Sequence, residues 1–503
     1  MAAYIIAHDL GTSGNKATVF DETGDLICSY THSYGTNFFN SNWAEQDPND
    51  WWKAICTCTK DICNTIDPKD VAAVTFSGQM MGCLCVDKQG EALYPHLLYC
   101  DQRAETETAR LIDALGFEYI YNTTGHRPSA SYSIEKLMWI QNNEPAIYGK
   151  TYKMLQAKDY MICKLTGVFM TERNDASGTN AMDLMKNCWS EEILKAADID
   201  ISFLPDIYKS TDVVGYVTKE AAALTGLLEG TPVVAGAGDG GCATIGVGSV
   251  TPGITYSNIG SSAWTSSTST EPVKDPSMRT FTWAHPITGL FQPCGTMQTA
   301  GSSYKWYVDS LLKRFASADN NTIYSELNRG AAKIPVGSNG LLFLPYLMGE
   351  RTPWWDPNAK GCIIGLGLDS TAEEIANAIH ESIAMSLNFS YDIFKQHEPI
   401  QRCRISGGGA RMKNLVQILS SVTGLPIEIP RYLEESTSLG AALIGGVGTS
   451  VYSSFNLIEE MNPTESVIQP DMEKNQQYKK LQSIFEKAYL QNKELFQDLM
   501  TII

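Results

Sequence analysis

Ile5-Ile6-Ala7-His8-Asp9-Leu10-Gly11-Thr12-Ser13-Gly14-Asn15-Lys16 opens the chain as an apolar run that ends in a carboxylate and a turn of small residues. The run predicts a strand and the turn a strand-loop-strand unit; Glu22-Thr23-Gly24-Asp25 turns the chain again, so consecutive antiparallel hairpins are expected. A P-loop would need Gly-x-x-x-x-Gly-Lys-Ser/Thr running from a strand into a helix, and neither motif nor context is present here. Near mid-chain, Ile254-Thr255-Tyr256-Ser257-Asn258-Ile259-Gly260-Ser261-Ser262-Ala263-Trp264 repeats the pattern of Ile5 to Asn15 after about 250 residues. The chain therefore reads as duplicated, each half opening on an apolar strand, an Asx residue and a Gly-Thr/Ser-Ser turn.

Length agrees with two units, because 503 residues exceed the roughly 250–300 at which single cores stop growing. Helical periodicity over Glu373–Phe394 and Met412–Thr423, against a buried strand at Thr231-Pro232-Val233-Val234-Ala235, predicts mixed α/β lobes. Gly246, Gly248, Pro252 and Gly253 mark the junction, giving lobes over 1–248 and 249–503. The formal charge of −18, with no basic run, argues against nucleic acid and anionic membrane as partners. Gly240–Thr270, the longest uncharged stretch, is too rich in Gly, Ser and Thr to span a bilayer. The N-terminal residues lack a secretory pattern, so a cytoplasmic protein is expected. The 13 cysteines show no paired C-x-x-C and read as reduced thiols rather than metal ligands.

Three segments supply what phosphoryl transfer requires: placed phosphates, a carboxylate for a metal, and a base for the attacking oxygen. Asp9 at a strand end suits Mg²⁺, which keeps much of its water shell; Gly11, Thr12 and Ser13 offer N–H groups and hydroxyls to phosphate, and Lys16 a cation. The second hairpin has Asn258 where the first has Asp9, and offers Gly260 and Ser261 to phosphate. Gly236-Ala237-Gly238-Asp239-Gly240-Gly241 sets one acid among glycines after a buried strand, where nothing bulky blocks a substrate hydroxyl, as a general base requires. The string also fits Gly-x-Gly-x-x-Gly, but Gly240–Thr270 holds no acid to bind a ribose, which disfavours a dinucleotide site. Ile405-Ser406-Gly407-Gly408-Gly409-Ala410 offers a flat ring a backbone without Cβ atoms.

Together these segments resemble the FGGY family of carbohydrate kinases, relatives of hexokinase, actin and the heat-shock chaperone ATPases. The resemblance spans residues 4 to about 450. It rests also on Trp43-Ala44-Glu45-Gln46-Asp47-Pro48, Ser77-Gly78-Gln79-Met80, and the run from Ser131 to Asn143, which fits the family's first signature. Gly361–Leu366 with Glu374-Ile375 fits the second, although His380 stands where an aliphatic or aromatic residue is usual. The resemblance implies two actin-like, ribonuclease H-like lobes with a cleft between them, and a chain that binds ATP, Mg²⁺ and a small sugar or polyol. It implies Asp9 at Mg²⁺, Gly11, Thr12, Ser13, Lys16, Gly260, Ser261 and Gly301 around the phosphates, Gly408, Gly409 and Asn414 at adenosine, and Asp239 as base. A homodimer is compatible with this reading.

Within the family, Gly349-Glu350-Arg351-Thr352-Pro353 and the strings above resemble the xylulokinases, which implies a ketopentose substrate. Gln79-Met80-Met81-Gly82 departs from their usual Gln-Met-His-Gly, and Gly240 from a polar residue after the base. Met80, Met81, Gly240 and Asp239 are expected to border the sugar, with Asp101 and Arg127 as compensating polar contacts. Gluconate, ribulose, erythritol and glycerol remain alternative substrates, and a nucleotide-gated sugar sensor the alternative function.

Overall fold

The computed structural model describes residues 3–312 and 320–501. The strand predicted at the start forms as β1 (Tyr4–Leu10), followed by β2 (Gly14–Phe20) and β3 (Leu26–Ser33) in antiparallel succession. After helix α1 (Pro48–Cys63), β4 (Val71–Gly78) lies parallel to β1. Helix α2 (Ala157–Thr166) and the short helix α3 (Arg173–Ser177) precede β5 (Val213–Tyr216), β6 (Pro232–Val234) and β7 (Ala237–Gly238). The first sheet runs β5-β6-β4-β1-β2-β3, with β7 parallel to the end of β4. Helix α4 (Asp239–Gly246) follows β7 without a loop.

The second sheet uses β8 (Ile254–Ile259), β9 (Ala263–Ser267), β10 (Phe281–Ala284) and β11 (Phe291–Met297). After helix α5 (Gly301–Trp306) and the long helix α6 (Ala372–His397) come β12 (Arg402–Ser406), α7 (Lys413–Thr423), β13 (Ile427–Pro430), α8 (Ser436–Gly448), β14 (Thr464–Ile468) and α9 (Met472–Met500). Its order is β10-β11-β9-β8-β12-β13-β14. In both sheets an opening hairpin is flanked by parallel strands on one side and antiparallel strands on the other, so the duplication read from the sequence is present in the topology.

Both faces of β1 are covered, which is why it reads as an unbroken apolar run. Ile6 and Leu10 face α1 and α2 with Trp51, Ile55 and Tyr160; Ile5 and Ala7 face the opposite way, onto Leu439, Leu443 and Ile444 of α8. Thus α8, late in the chain, packs on the first sheet. It crosses α4 at two glycines: a Cβ on Gly246 would stand 1.7 Å from the Ser436 carbonyl oxygen, and one on Gly440 1.9 Å from that of Cys242. The second core gathers around α6, whose N-terminus is closed by reciprocal bonds between Thr371 and Glu374. All 13 cysteines are free thiols, and among the described residues no helix is long and apolar enough to cross a membrane. Gly440→Val is expected to force α4 and α8 apart, since overpacked backbone contacts cost about 1–3 kcal/mol or more. Thermal unfolding checks this: a marked fall in midpoint is expected, and an unchanged midpoint contradicts the crossing.

Candidate active site

Three parallel strands bring their C-terminal ends to one side of the first sheet, where open α/β sheets place ligands. Asp9 sits near the end of β1, beside Ser77 of β4, whose hydroxyl donates to Asp9 Oδ1 at 2.9 Å. Gly238 ends β7 next to Gly78, and Asp239 is the first residue of α4. Glycines are required here: Gly236 has φ 69°, and a Cβ on it would stand 1.9 Å from the Phe76 carbonyl oxygen. The second lobe repeats the arrangement. Asn258 pairs with Ser406 as Asp9 does with Ser77, and its Nδ2 donates to Ser406 Oγ at 2.9 Å. A neutral amide thus occupies the position that holds a carboxylate in the first copy.

Asp9 and Asp239 share one cavity of about 350 Å³ with Gly11, Met80, Met81, Arg127 and Gly240, seven residues singled out from the sequence. Asp239 accepts from Gly240 N–H at 2.7 Å and has no cation partner among the described residues. Surrounding protein, and then the Asp9 charge, push its carboxyl up to about 7 against that N–H. The side chain is open to the cleft, so water tempers this shift until a substrate displaces it. Burial raises Asp9 too, against the Ser77 hydroxyl and the charge of Lys16.

Met81 holds a left-handed backbone, φ 67°, fixed because its N–H donates to Gln156 Oε1 at 2.7 Å and its carbonyl accepts from Lys136 Nζ at 3.1 Å. Arg127 is sandwiched between Phe117 and Trp355 and donates to the Met278 carbonyl at 2.9 Å.

Asp101 is a correction. It is fully buried outside the cavity wall, accepting from Ala44 N–H at 2.6 Å and from Arg103 Nε and Nη2 at 2.9 and 2.7 Å. Arg103 itself lies 3.9 Å over the Trp43 ring, so the carboxylate neutralises a buried cation and no longer has an oxygen to offer a sugar.

The remaining candidates lie away from this cavity. Lys16 faces Asp9 across the first hairpin and approaches Glu435 at 3.8 Å. Beside it, Thr12 offers its carbonyl to Thr36 and Gln46, and Ser13 is exposed. Gly301 N–H donates to the Gly260 carbonyl at 2.9 Å, Ser261 O accepts from Ala300 and Ser302, and Gly409 packs on Ile259. These converge on the turn of the second hairpin, with Gly408 exposed beside them. Asn414 donates toward Asn377 Oδ1 and His380 Nδ1, each at 3.2 Å, so the unusual His380 is a buried neighbour of Asn414.

Sequence reasoning missed the walls supplied by the β10–β11 hairpin and its surroundings. Phe281, Trp283, Trp264, Trp355 and Tyr132 make them aromatic, and Gln292 Nε2 donates to the Gly240 carbonyl at 3.1 Å. Thr437 reaches the cavity from α8. Arg351 also lines it, with no hydrogen bond or ion pair from its guanidinium to any described residue. Its motif was visible in Gly349–Pro353, but nothing in that string says the side chain faces a cleft.

Duplicated sheets facing across such a cleft define an actin-like ATPase fold of the carbohydrate-kinase kind. The N-terminal domain of the FGGY family of carbohydrate kinases matches residues 4–246 and its C-terminal domain residues 255–449. The xylulose kinase of Staphylococcus xylosus is 32% identical over 463 residues, covering 91% of this chain and 93% of the relative. Crystal structures of a gluconate kinase and of a ligand-bound xylulose kinase, both from Lactobacillus acidophilus, each superpose with a TM-score of 0.92 at 25% identity, over 99% of this chain and 100% of theirs.

The chain belongs to the FGGY family of carbohydrate kinases. It is a xylulokinase-like carbohydrate kinase, and its family implies ATP as phosphoryl donor. If the raised carboxyl of Asp239 takes part, kcat should climb with pH through about 7, because only the deprotonated form accepts a proton. An acid limb at the ordinary value of about 4 would contradict that assignment.

Proposed function

We propose that this kinase transfers the γ-phosphoryl group of ATP to a hydroxyl of a ketopentose such as xylulose, with Asp239 as base and the lobes dividing at 248/249. The observation that carries the reading is that Asp239 and Asp9, from distant segments, line one cavity and neither has a hydrogen-bonded cation partner among the described residues. As the sugar oxygen attacks the γ-phosphorus and the bond to ADP breaks, Asp239 takes the hydroxyl proton. A carboxyl raised toward neutral pKa suits that task, because a substantial fraction is ionised near neutral pH and that form is more basic than an ordinary carboxylate.

Among the described residues no three His, Cys, Asp or Glu cluster to hold a metal. A single carboxylate such as Asp9 nevertheless suits Mg²⁺, which is held mostly by water and phosphate oxygens. In this reading Asp9 holds Mg²⁺, and the ion supplies charge neutralisation at the phosphates. Gly11, Thr12, Ser13 and Lys16 flank the phosphates from one lobe, Gly260, Ser261 and Gly301 from the other, and adenosine rests by Gly408, Gly409 and Asn414. The aromatic walls take the C–H faces of the sugar, while Arg127, Arg351 and Gln292 offer donors.

A second reading has its own observation. Neither Arg127 nor Arg351 pairs with a carboxylate among the described residues, and two guanidiniums in one pocket suit the carboxylate of an aldonate such as gluconate. A panel of xylulose, ribulose, gluconate, erythritol and glycerol, read by ADP release, separates the two. Xylulose or ribulose leading is the expected result; gluconate leading supports the aldonate, and no sugar-dependent ADP release leaves a sensor.

Asp239→Asn should lower sugar-dependent turnover at least about a hundredfold with nucleotide binding intact, whereas activity within a few-fold of wild type removes the base. Asp9→Asn should raise the Mg²⁺ requirement more than it alters sugar affinity. Met81→His should raise kcat/KM for xylulose relative to other sugars by roughly tenfold or more, because a sugar hydroxyl left unpaired costs about 1–3 kcal/mol. Histidine tolerates the left-handed backbone at this position better than most residues. A fall in xylulose turnover in that variant would show the contact to be supplied elsewhere.

A further inference from the structure

The segment Glu172-Arg173-Asn174-Asp175-Ala176-Ser177 enters none of the roles above, yet it joins the base to the opposite wall of the cavity. Asn174 is fully buried. Its Oδ1 accepts from the N–H of Gly238, the residue immediately before Asp239, at 3.1 Å. Its Nδ2 donates to the carbonyl of Ala284 at 2.6 Å, at the end of β10 in the second lobe. Gly241 completes the fit, since a Cβ there would stand 2.3 Å from Asn174 Oδ1.

Neighbours on α3 take hold of the same edge. Ala284 N–H donates to Ser177 Oγ at 3.1 Å, and Arg173 Nη1 donates to the carbonyls of His285 and Ile287, both at 2.9 Å. The strand so held, β10, carries Phe281 and Trp283 into the cavity. The position of α3 is itself overdetermined. Glu172 caps it by accepting from the N–H groups of Asn174 and Asp175 at 2.8 Å each. Lys158, fully buried, lies 2.6, 3.1 and 3.7 Å from Asp159, Asp175 and Glu172. A buried cation shared by three acids has little freedom to move, because any displacement strands a charge away from water.

We propose that Asn174 is a positioning residue for phosphoryl transfer: its amide anchors Gly238, the residue that leads into Asp239, and, through Ala284, holds the aromatic wall opposite at a fixed distance from it. A buried amide that satisfies one donor and one acceptor on different lobes has only one orientation that leaves neither unpaired. Since displacements of about 1 Å cost roughly a hundredfold in rate, a group acting through geometry alone has a large effect on kcat. The proposal rests on Asp239 being the base.

A double-mutant cycle on the full chain tests it. Asn174→Ala, or Asn174→Ser, whose side chain is too short to reach both partners, should lower kcat for the best sugar of the panel by roughly ten- to a hundredfold, with the KM for ATP nearly unchanged. In an Asp239→Asn background the same substitution should cost no more than about twofold, because the group it positions is gone. Ser177→Ala, which loosens the clasp without touching Gly238, should keep kcat within about threefold of wild type. An equal loss from the Asn174 variants in both backgrounds overturns the proposal, as does failure of both to fold while Ser177→Ala folds and works. A mild effect of Asp239→Asn alone removes the base reading itself, whereas a severe one with independent Asn174 losses removes only the positioning role.

Discussion

Everything at the cleft depends on the glycine contact between α4 and α8. Gly246 and Gly440 let two helix backbones meet where any side chain would collide with a carbonyl oxygen. One of those helices begins at Asp239; the other begins beside Glu435 and Thr437, which face Lys16 and the cavity. A single steric constraint therefore anchors the acid of one lobe and brings a late segment of the chain back over the first sheet. The apolar faces of Leu439, Leu443 and Ile444 then complete the core around Ile5 and Ala7.

Electrostatics at the cleft follows from that packing. Burial in the protein-lined cleft raises both Asp9 and Asp239 from the ordinary carboxylate range, and for Asp239 the charge of Asp9 adds to it. Elsewhere buried acids lie against cations: Asp101 against Arg103, and Asp159, Glu172 and Asp175 around Lys158, whose single charge does not offset all three, so that burial holds the Asp175 carboxyl well above the ordinary carboxylate range. Those contacts are structural because each of these carboxyls is buried beside its cation and away from the cleft. Asp239 differs in having one N–H and an opening toward ligand. The net charge of −18 is no obstacle to binding a phosphate chain, since the groups around it are local.

The parts of the site written as contiguous strings were legible in the sequence. Asp9 with its turn and Asp239 among glycines each carry their geometry within a few residues, and the repeat at Asn258 disclosed the duplicated sheets. What was not legible depends on long-range packing. Asp101 looked like a polar contact until the fold placed Arg103 and the Ala44 N–H against it. Phe281 and Trp283 lie on a strand whose alternation says only that one face is buried, and which lobe they meet is decided by Asn174 and Arg173 more than a hundred residues earlier. Arg351 lay in a quoted motif, but that its guanidinium has no partner among the described residues is a property of the folded cleft.

The most direct test of the central claim is a crystal structure of the protein with a non-hydrolysable ATP analogue, Mg²⁺ and the best sugar of the panel. Phosphates are expected between the Gly11–Ser13 and Gly260–Ser262 turns, with a sugar hydroxyl within about 2.6–3.2 Å of the Asp239 carboxylate. A sugar whose hydroxyls all lie beyond the reach of Asp239, even through one water, or phosphates bound away from both turns, would contradict it.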